Sequence, residues 1–514
     1  MKYPRVLLFG VILFAIVLGG CSVGPKYTAP AAPAAPAFKE SSPDAYKSVL
    51  PGAWQPARPQ DAEIKGKWWE MFHEPELDAL EEQLDVNNQT IAQSFQNFMA
   101  ARAQVGEARA QYFPTVTADP SITKTRSRGG TGVVSTNPTT GGVVAPQGSS
   151  SSTLTSITLP IDASWAPDLW GRVRNMVRES QDAAQVGAAD LENQRLTEQA
   201  SLAAFFFELR GQDSLQDVYN KTIQADKVTL DLTRALVETG IDSPEDVAQA
   251  EVTLRNAEEA GAGVATNRAI YEHAIATLIG KPASNFEMPV KLLTTPLPSI
   301  PVGVPSELLQ RRPDIAAAER TMAEANALIG VEKAAYYPTI NLTGSGGLAA
   351  STFKTLFSLP ALFWSLGASA SETIFDAGLR KSTMAQYTAQ YNGDVASYKQ
   401  TILTAFQQVE DNIATLRTVS DQIIRENSAI EAAQRYVNLA TARYETGLDP
   451  YLNVMSAQLT LLGNQLTQTN LRVSEMTAAV QLIQALGGGW KASGLPTPAG
   501  VTSKQAASQS MTVQ

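Results

Sequence analysis

The sequence predicts an α+β membrane protein made by internal duplication, in which long antiparallel helical hairpins carry four β-strands per chain. Three observations point there. Proline-free runs rich in Ala, Gln, Leu and Thr flank two Glu-Thr-Gly turns, at Glu238-Thr239-Gly240 and Glu445-Thr446-Gly447. The text also repeats: Glu238, Gly240, Val247 and Gly280 correspond to Glu445, Gly447, Val454 and Gly487, each 207 positions on. Ala103, Gly106, Ala110, Tyr112 and Pro114 correspond to Ala327, Gly330, Ala334, Tyr336 and Pro338, each 224 on. Two offsets mean one duplicated unit with a longer insertion in its first copy. Finally, after Tyr112-Phe113-Pro114 and Tyr336-Tyr337-Pro338 the helical period gives way to alternation of period 2.

Taken in order, Lys2 and Arg5 precede an apolar run, residues 6–18, that is short for a membrane span. Residues 1–20 read as a signal peptide. Leu18-Gly19-Gly20-Cys21 sets small residues before the only cysteine, the pattern of a bacterial lipobox whose thiol carries a covalent lipid. A plain secretory signal with an incidental cysteine is the alternative. Ser22 reads as an outer-membrane sorting signal. A lone cysteine excludes disulfides. Residues 21–60, with Ala29-Pro30-Ala31, form a linker that cannot bury a core.

The first repeat spans 61–282. A helix over 76–111 carries Leu77, Leu80, Leu84 and Ile91 at helical spacing. Strands follow at about 115–124 and 153–165, separated by a Gly/Ser/Thr loop over 126–153, then a long helix at 171–239 and a return helix at 244–281. A proline-rich linker, 283–305, leads to the second repeat, 306–490. Its strands are expected at 339–350 and 362–373, its long helix at 377–446 and its return helix at 450–487. A helix of that length extends roughly 100 Å at ~1.5 Å per residue. Gly240 and Gly447 suit left-handed C-caps, and Pro244 and Pro450 suit helix starts. Asp168 and Asp376, each four residues before an arginine, open the long helices. Residues 491–514 read as a polar disordered tail.

Each strand is roughly ten residues, the length of a tilted transmembrane strand. Four such strands cannot close a barrel alone, and a lipid-exposed sheet cannot keep open edges. If they span a membrane, several chains must share one barrel; a soluble four-stranded sheet is the alternative. The formal charge of −10 argues against nucleic acid. His73 and His273 carry no metal motif, Gly487-Gly488-Gly489 lacks the Lys-Ser/Thr of a phosphate loop, and no nucleophile–base pair or cofactor loop stands out. No metal, cofactor or enzymatic activity is expected. The Phe205-Phe206-Phe207 cluster reads as packing.

Together, the lipobox, the paired Tyr-Pro segments, Leu309-Gln310-Arg311-Arg312-Pro313-Asp314-Ile315, the Asp-(x)₃-Arg helix starts and the Glu-Thr-Gly turns resemble the outer-membrane factor family. The likeness is to the TolC-like group, and within it to the NodT-type efflux lipoproteins, over residues 60–490. It implies a homotrimer with a twelve-stranded barrel among outer-membrane lipids and a periplasmic α-barrel. It also implies an exit duct for small toxic compounds, fed by a periplasmic adaptor (membrane fusion protein) and an inner-membrane transporter of the resistance–nodulation–division type. A duct for type I protein secretion or metal export, and a lipid-tethered periplasmic scaffold, are the alternatives.

The resemblance makes Thr239, Gly240, Ile241, Thr446, Gly447 and Leu448 the adaptor-docking tips. It puts the periplasmic gate at Asp242, Glu245, Asp246, Tyr444, Asp449, Leu452, Asn453 and Ser456, with Tyr444 and Asp246 at the positions of a Tyr–Asp contact. Asp449 stands where some members have an arginine, and Asn453 and Ser456 where ring aspartates stand. Carboxylates crowded there without a nearby cation would repel, giving a closed tip that is weaker or is held by apolar residues such as Leu452, and preferential passage of cations.

Overall fold

The computed structural model describes residues 23–33, 37–40, 66–127, 152–301 and 305–502. Cys21, the signal peptide and most of the 126–153 loop lie outside the described residues. A 3-10 turn (Trp68–Phe72) precedes α1 (Pro75–Asn87) and α2 (Gln89–Ala110). Next come β1 (Thr115–Ala118), β2 (Ser121–Ser127), β3 (Ser152–Trp165), α3 (Arg172–Glu238) and α4 (Pro244–Leu278). The second copy runs α5 (Pro305–Arg311), α6 (Pro313–Ala334), β4 (Thr339–Ala350), the single turn α7 (Phe353–Leu356), β5 (Leu362–Ser371), α8 (Leu379–Glu445) and α9 (Tyr451–Ala485), followed by α10 (Pro498–Thr502). Both long helices have 67 residues and both return helices have 35.

Four expectations about these elements need correction. The helix over 76–111 breaks at Asn88, whose side-chain oxygen caps the Thr90 and Ile91 amides at 2.9 and 3.0 Å while its amide donates to Leu278 O. The first strand breaks into β1 and β2 at Asp119-Pro120, where proline offers no N–H, yet both pieces pair with β3. The tail is ordered as far as residue 502: Gln185 donates to Pro496 O (2.8 Å) and Arg102 to Val501 O (2.9 Å). The linker over 21–60 is likewise held where it is described. Phe38 is buried beside Phe406, and the Lys39 and Glu40 amides donate to Glu410 at 2.7 and 2.9 Å.

The chain divides into a strand-bearing unit and a helical one. In the strand-bearing unit (residues up to Tyr27, Gln104–Ser180 and Ala325–Gln390) the sheet is antiparallel throughout, in the order β1/β2, β3, β4, β5. Trp170 stacks on Tyr337 at 5.0 Å and donates to Pro338 O at 2.8 Å, locking the base of the second copy. The aspartate at each long-helix start caps as expected, but its ion-pair partner differs. Asp376 holds Arg380 (2.7 Å), whereas Asp168 holds Arg174 (3.1 Å) in place of Arg172.

The helical unit packs around Trp68, Phe72, Leu84, Phe206, Phe207 and Ile279, all nearly inaccessible, with Val409, Ile413, Val480 and Ile483 from the second copy. On α8 the buried positions Ile402, Ala405, Val409, Ile413 and Leu416 recur every three or four residues, a narrow coiled-coil seam. The proline-rich linker is strapped to this core by buried ions. Asp213, 1% exposed, accepts from Arg210 (3.1 Å), Arg268 (2.7 Å) and the Lys291 amide (3.0 Å). Arg210 also donates to Pro289 O (2.6 Å) and to Glu76, and Arg268 to Met288 O (2.7 Å). Every oxygen of the Asp213 carboxylate is thereby satisfied, the condition under which a buried charge is tolerable.

Nearer the turns, Leu230, Ala250, Leu254, Tyr444, Tyr451 and Val454 form a second buried cluster. Asp226, one helical turn before Leu230, is 4% exposed, and its Oδ2 has no partner. Burial pushes this carboxyl up to about 6 from an ordinary 3.8. The fold therefore holds a proton that the unfolded chain releases. The resulting advantage is full in acid and is lost as pH rises through about 6.

Two outcomes follow from this packing. Arg210→Met removes one of the two arginines on Asp213 and the donors to Glu76 and Pro289 O, and lowers stability by about 1.5–3 kcal/mol, read as a fall in the unfolding temperature of the detergent-solubilised protein. Asp226→Asn stabilises the protein at neutral pH and flattens its stability profile between pH 7 and about 4. Superimposable profiles for parent and variant would rule out that assignment.

Candidate functional site

Two surfaces carry the candidate residues, one in each unit. The first is the sheet. Directly opposed residues of antiparallel strands share a face, so the register sorts the side chains. On one face stand Val116, Ile122, Leu159, Ile161, Leu342, Leu362, Trp364 and Leu366. All of these are exposed, Trp364 at 76% and Leu366 at 81%. The opposite face carries Thr117, Ser156, Thr158, Asp162, Ser164, Asn341, Thr343 and Ser365. From Ile340 to Ala350 the apolar face extends about 34 Å along the strand, or about 25 Å in height at the usual tilt of barrel strands. That is the height of a lipid-facing band. The sheet ends in unpaired edges at β1/β2 and β5.

The second surface is the pair of helix turns. Both close in the same way: Gly240 (φ 75°) donates to Val237 O and Ile241 to Leu236 O, each at 3.0 Å. Gly447 (φ 68°) donates to Tyr444 O and Leu448 to Arg443 O, each at 2.9 Å. These paired bonds satisfy the last carbonyls of α3 and α8 and need a residue tolerant of positive φ. Thr239 and Thr446 add a hydroxyl bond back to Leu236 O and Arg443 O, both at 2.9 Å. Ile241 and Leu448, 60% and 68% exposed, are left as apolar points on the turns.

The residues expected at the gate are arranged differently from their expected pairing. Tyr444, buried, donates to Asp242 and lies 2.9 Å from the Thr233 hydroxyl, with no bond to Asp246. Asp246 instead accepts from Ser243 Oγ (2.7 Å), while its amide donates back to that oxygen at 3.3 Å, closing the start of α4. The Ser243 bond holds the Asp246 carboxyl below its usual range, whereas burial raises that of Asp242. Burial, with the Asp242 acceptor second, raises the Tyr444 phenol well above the ordinary range.

Asp449 is also not a carboxylate lacking a cation. Arg443 grips it at 2.7 and 3.0 Å and holds its carboxyl low. Leu452 is 54% exposed, Glu245 is exposed, Asn453 donates its amide to Pro450 O, and Ser456 O accepts from Thr460. Sequence reading missed Thr233, Arg443 and Asp226. Of these, only Arg443 left a signal, six residues from Asp449 across the turn.

A family model described as outer membrane efflux protein matches residues 80–281 and 304–488. The antibiotic efflux pump outer membrane protein ArpC of Pseudomonas putida is 31% identical over 492 residues, covering 94% of this chain and 96% of ArpC. The toluene efflux pump outer membrane protein TtgC of Pseudomonas putida is also 31% identical, with 94% and 96% covered. The solved outer-membrane channel OprN superposes with a TM-score of 0.80 at 25% identity, over 91% of this chain and 100% of its own. With both repeats matched, the chain belongs to the outer membrane efflux protein family.

Proposed function

We infer that the chain is the outer-membrane exit duct of an efflux pump, passing small toxic compounds outward from an inner-membrane transporter through a periplasmic adaptor. The observation that carries this reading is the sheet, with one face apolar over the height of a bilayer core and the other polar. Its two open edges require partners in lipid, which supports a homotrimer in which three copies close one barrel. The polar faces then line the pore.

The names of the relatives, which specify antibiotic and toluene efflux, support a cargo of small toxic molecules. Cys21 is the acceptor of a covalent lipid that tethers the chain to the outer membrane. The turns at Gly240 and Gly447 are the docking points for the adaptor, offering Ile241 and Leu448 as apolar contacts. A resistance–nodulation–division transporter is the source of cargo.

The Tyr444 hydroxyl, shared with Asp242 and Thr233, ties α8 to the turn after α3 and acts as a latch on the periplasmic end.

Purified protein added to planar bilayers is expected to give discrete conductance steps, and loss of the gene to sensitise cells to several toxic compounds. A stable monomer without conductance overturns the duct. Tyr444→Phe removes the latch bonds, about 1–2 kcal/mol in total, and is expected to lengthen openings several-fold. Unchanged open times would remove Tyr444 from the gate.

A further inference from the structure

The apolar face of the sheet changes character at one end. Its last apolar row is Ile122, Ile157 and Ala350, in register across β2, β3 and β4. β4 stops there, while β2 and β3 continue. The next two rows on the same face pair Lys124 with Thr155 and Arg126 with Thr153. Lys124 thus stands about 7 Å beyond Ile122 along the strand, and Arg126 about 14 Å. The connection after β4 at this end carries Lys354.

All three cations are exposed, and among the described residues none has an ion-pair partner. Acids are missing from the sequence around them. Residues 120–161 and 333–371 contain no Asp or Glu, in a chain whose net charge is −10. A surface selected only for solubility mixes both signs. Here one sign is collected at one end of the sheet, next to an apolar band. A cation on a lipid-facing surface is unfavourable at mid-bilayer but tolerated at the interface, where its stem lies along the chains and its head reaches polar groups.

We propose that Lys124, Arg126 and Lys354 form a headgroup rim that binds lipid bearing net-anionic phosphate groups at the end of the barrel wall where β4 stops. The acyl chains lie against the Leu159 and Leu362 row, and the phosphate sits at the level of Lys124 and Arg126. The assignment rests on the reading of the apolar face as lipid-facing. Its chemistry is charge complementarity, worth about fivefold in affinity per cation at a membrane surface.

The test uses the full-length protein in neutral detergent, titrated with bisphosphorylated lipid A, with phosphatidylcholine, or with inorganic phosphate, and read by native mass spectrometry. Lipid A is expected to bind at least tenfold more tightly than phosphatidylcholine, and inorganic phosphate at equal concentration to leave the lipid bound. In the triple variant K124Q/R126Q/K354Q that preference disappears, while the oligomer and its conductance persist. The charge-conserving variant K124R/R126K retains it, which separates lost charge from lost folding. Equal binding of both lipids, an unchanged preference in the triple variant, displacement by inorganic phosphate, or dissociation of the oligomer in the triple variant each overturns the rim. Absence of conductance in the parent would instead overturn the duct reading.

Discussion

A backbone amide or carbonyl facing hydrocarbon must find its partner within protein, and this requirement governs how the sheet can be used. Four strand lines, apolar on one face and polar on the other, satisfy one another internally but leave β5 and β1/β2 unpaired along their outer edges. The side chains make burial of one face in lipid favourable, and the backbone makes it impossible for a single copy. Assembly is therefore a condition of this sheet's existence in a membrane. The polar face, of no use against lipid, is what a water-filled lumen needs.

The helical unit solves a different problem. A linker with five prolines between 289 and 305 has few amides to give and no regular structure to occupy. At its start, the backbone groups of Met288, Pro289, Lys291 and Leu293 are taken up by side chains from the helices. Asp213 and Glu272 accept the Lys291 and Met288 amides, while Arg210 and Arg268 cap the Pro289 and Met288 carbonyls. This arrangement fixes an irregular segment against a helical core without strand pairing. Because Asp213 pairs with two arginines, and Arg210 and Arg268 each hold a second carboxylate, every remaining buried ion keeps a partner when one is lost.

Much of this was legible from residues alone, for identifiable reasons. The long helices and their turns followed from the absence of proline, the Gly240 and Gly447 caps and the repeat, and they lie within a few residues of the expected bounds. The strands followed from period 2. What could not be read was anything that depends on which side chains meet across the fold. Asn88 looked like one more polar helix residue until its cap geometry was visible. Tyr444 donates to Asp242, while Asp246 is engaged by Ser243 in the N-terminal cap of α4. The Arg443–Asp449 pair, lying across a turn, removed the cation-free ring of carboxylates that composition suggested.

The equal lengths of corresponding helices have a consequence for how such a chain can vary over time. On a helix, one inserted residue advances everything after it by ~1.5 Å and turns it by roughly 100°. A single insertion in α3 would swing the seam that holds Leu230 out of phase and put its turn at a different level from the turn after α8. The two copies have diverged freely in sequence and in the span between β2 and β3, yet their 67- and 35-residue helices have kept count. Length here behaves as a ruler: substitutions are absorbed along the rods, whereas additions and losses are confined to the connections.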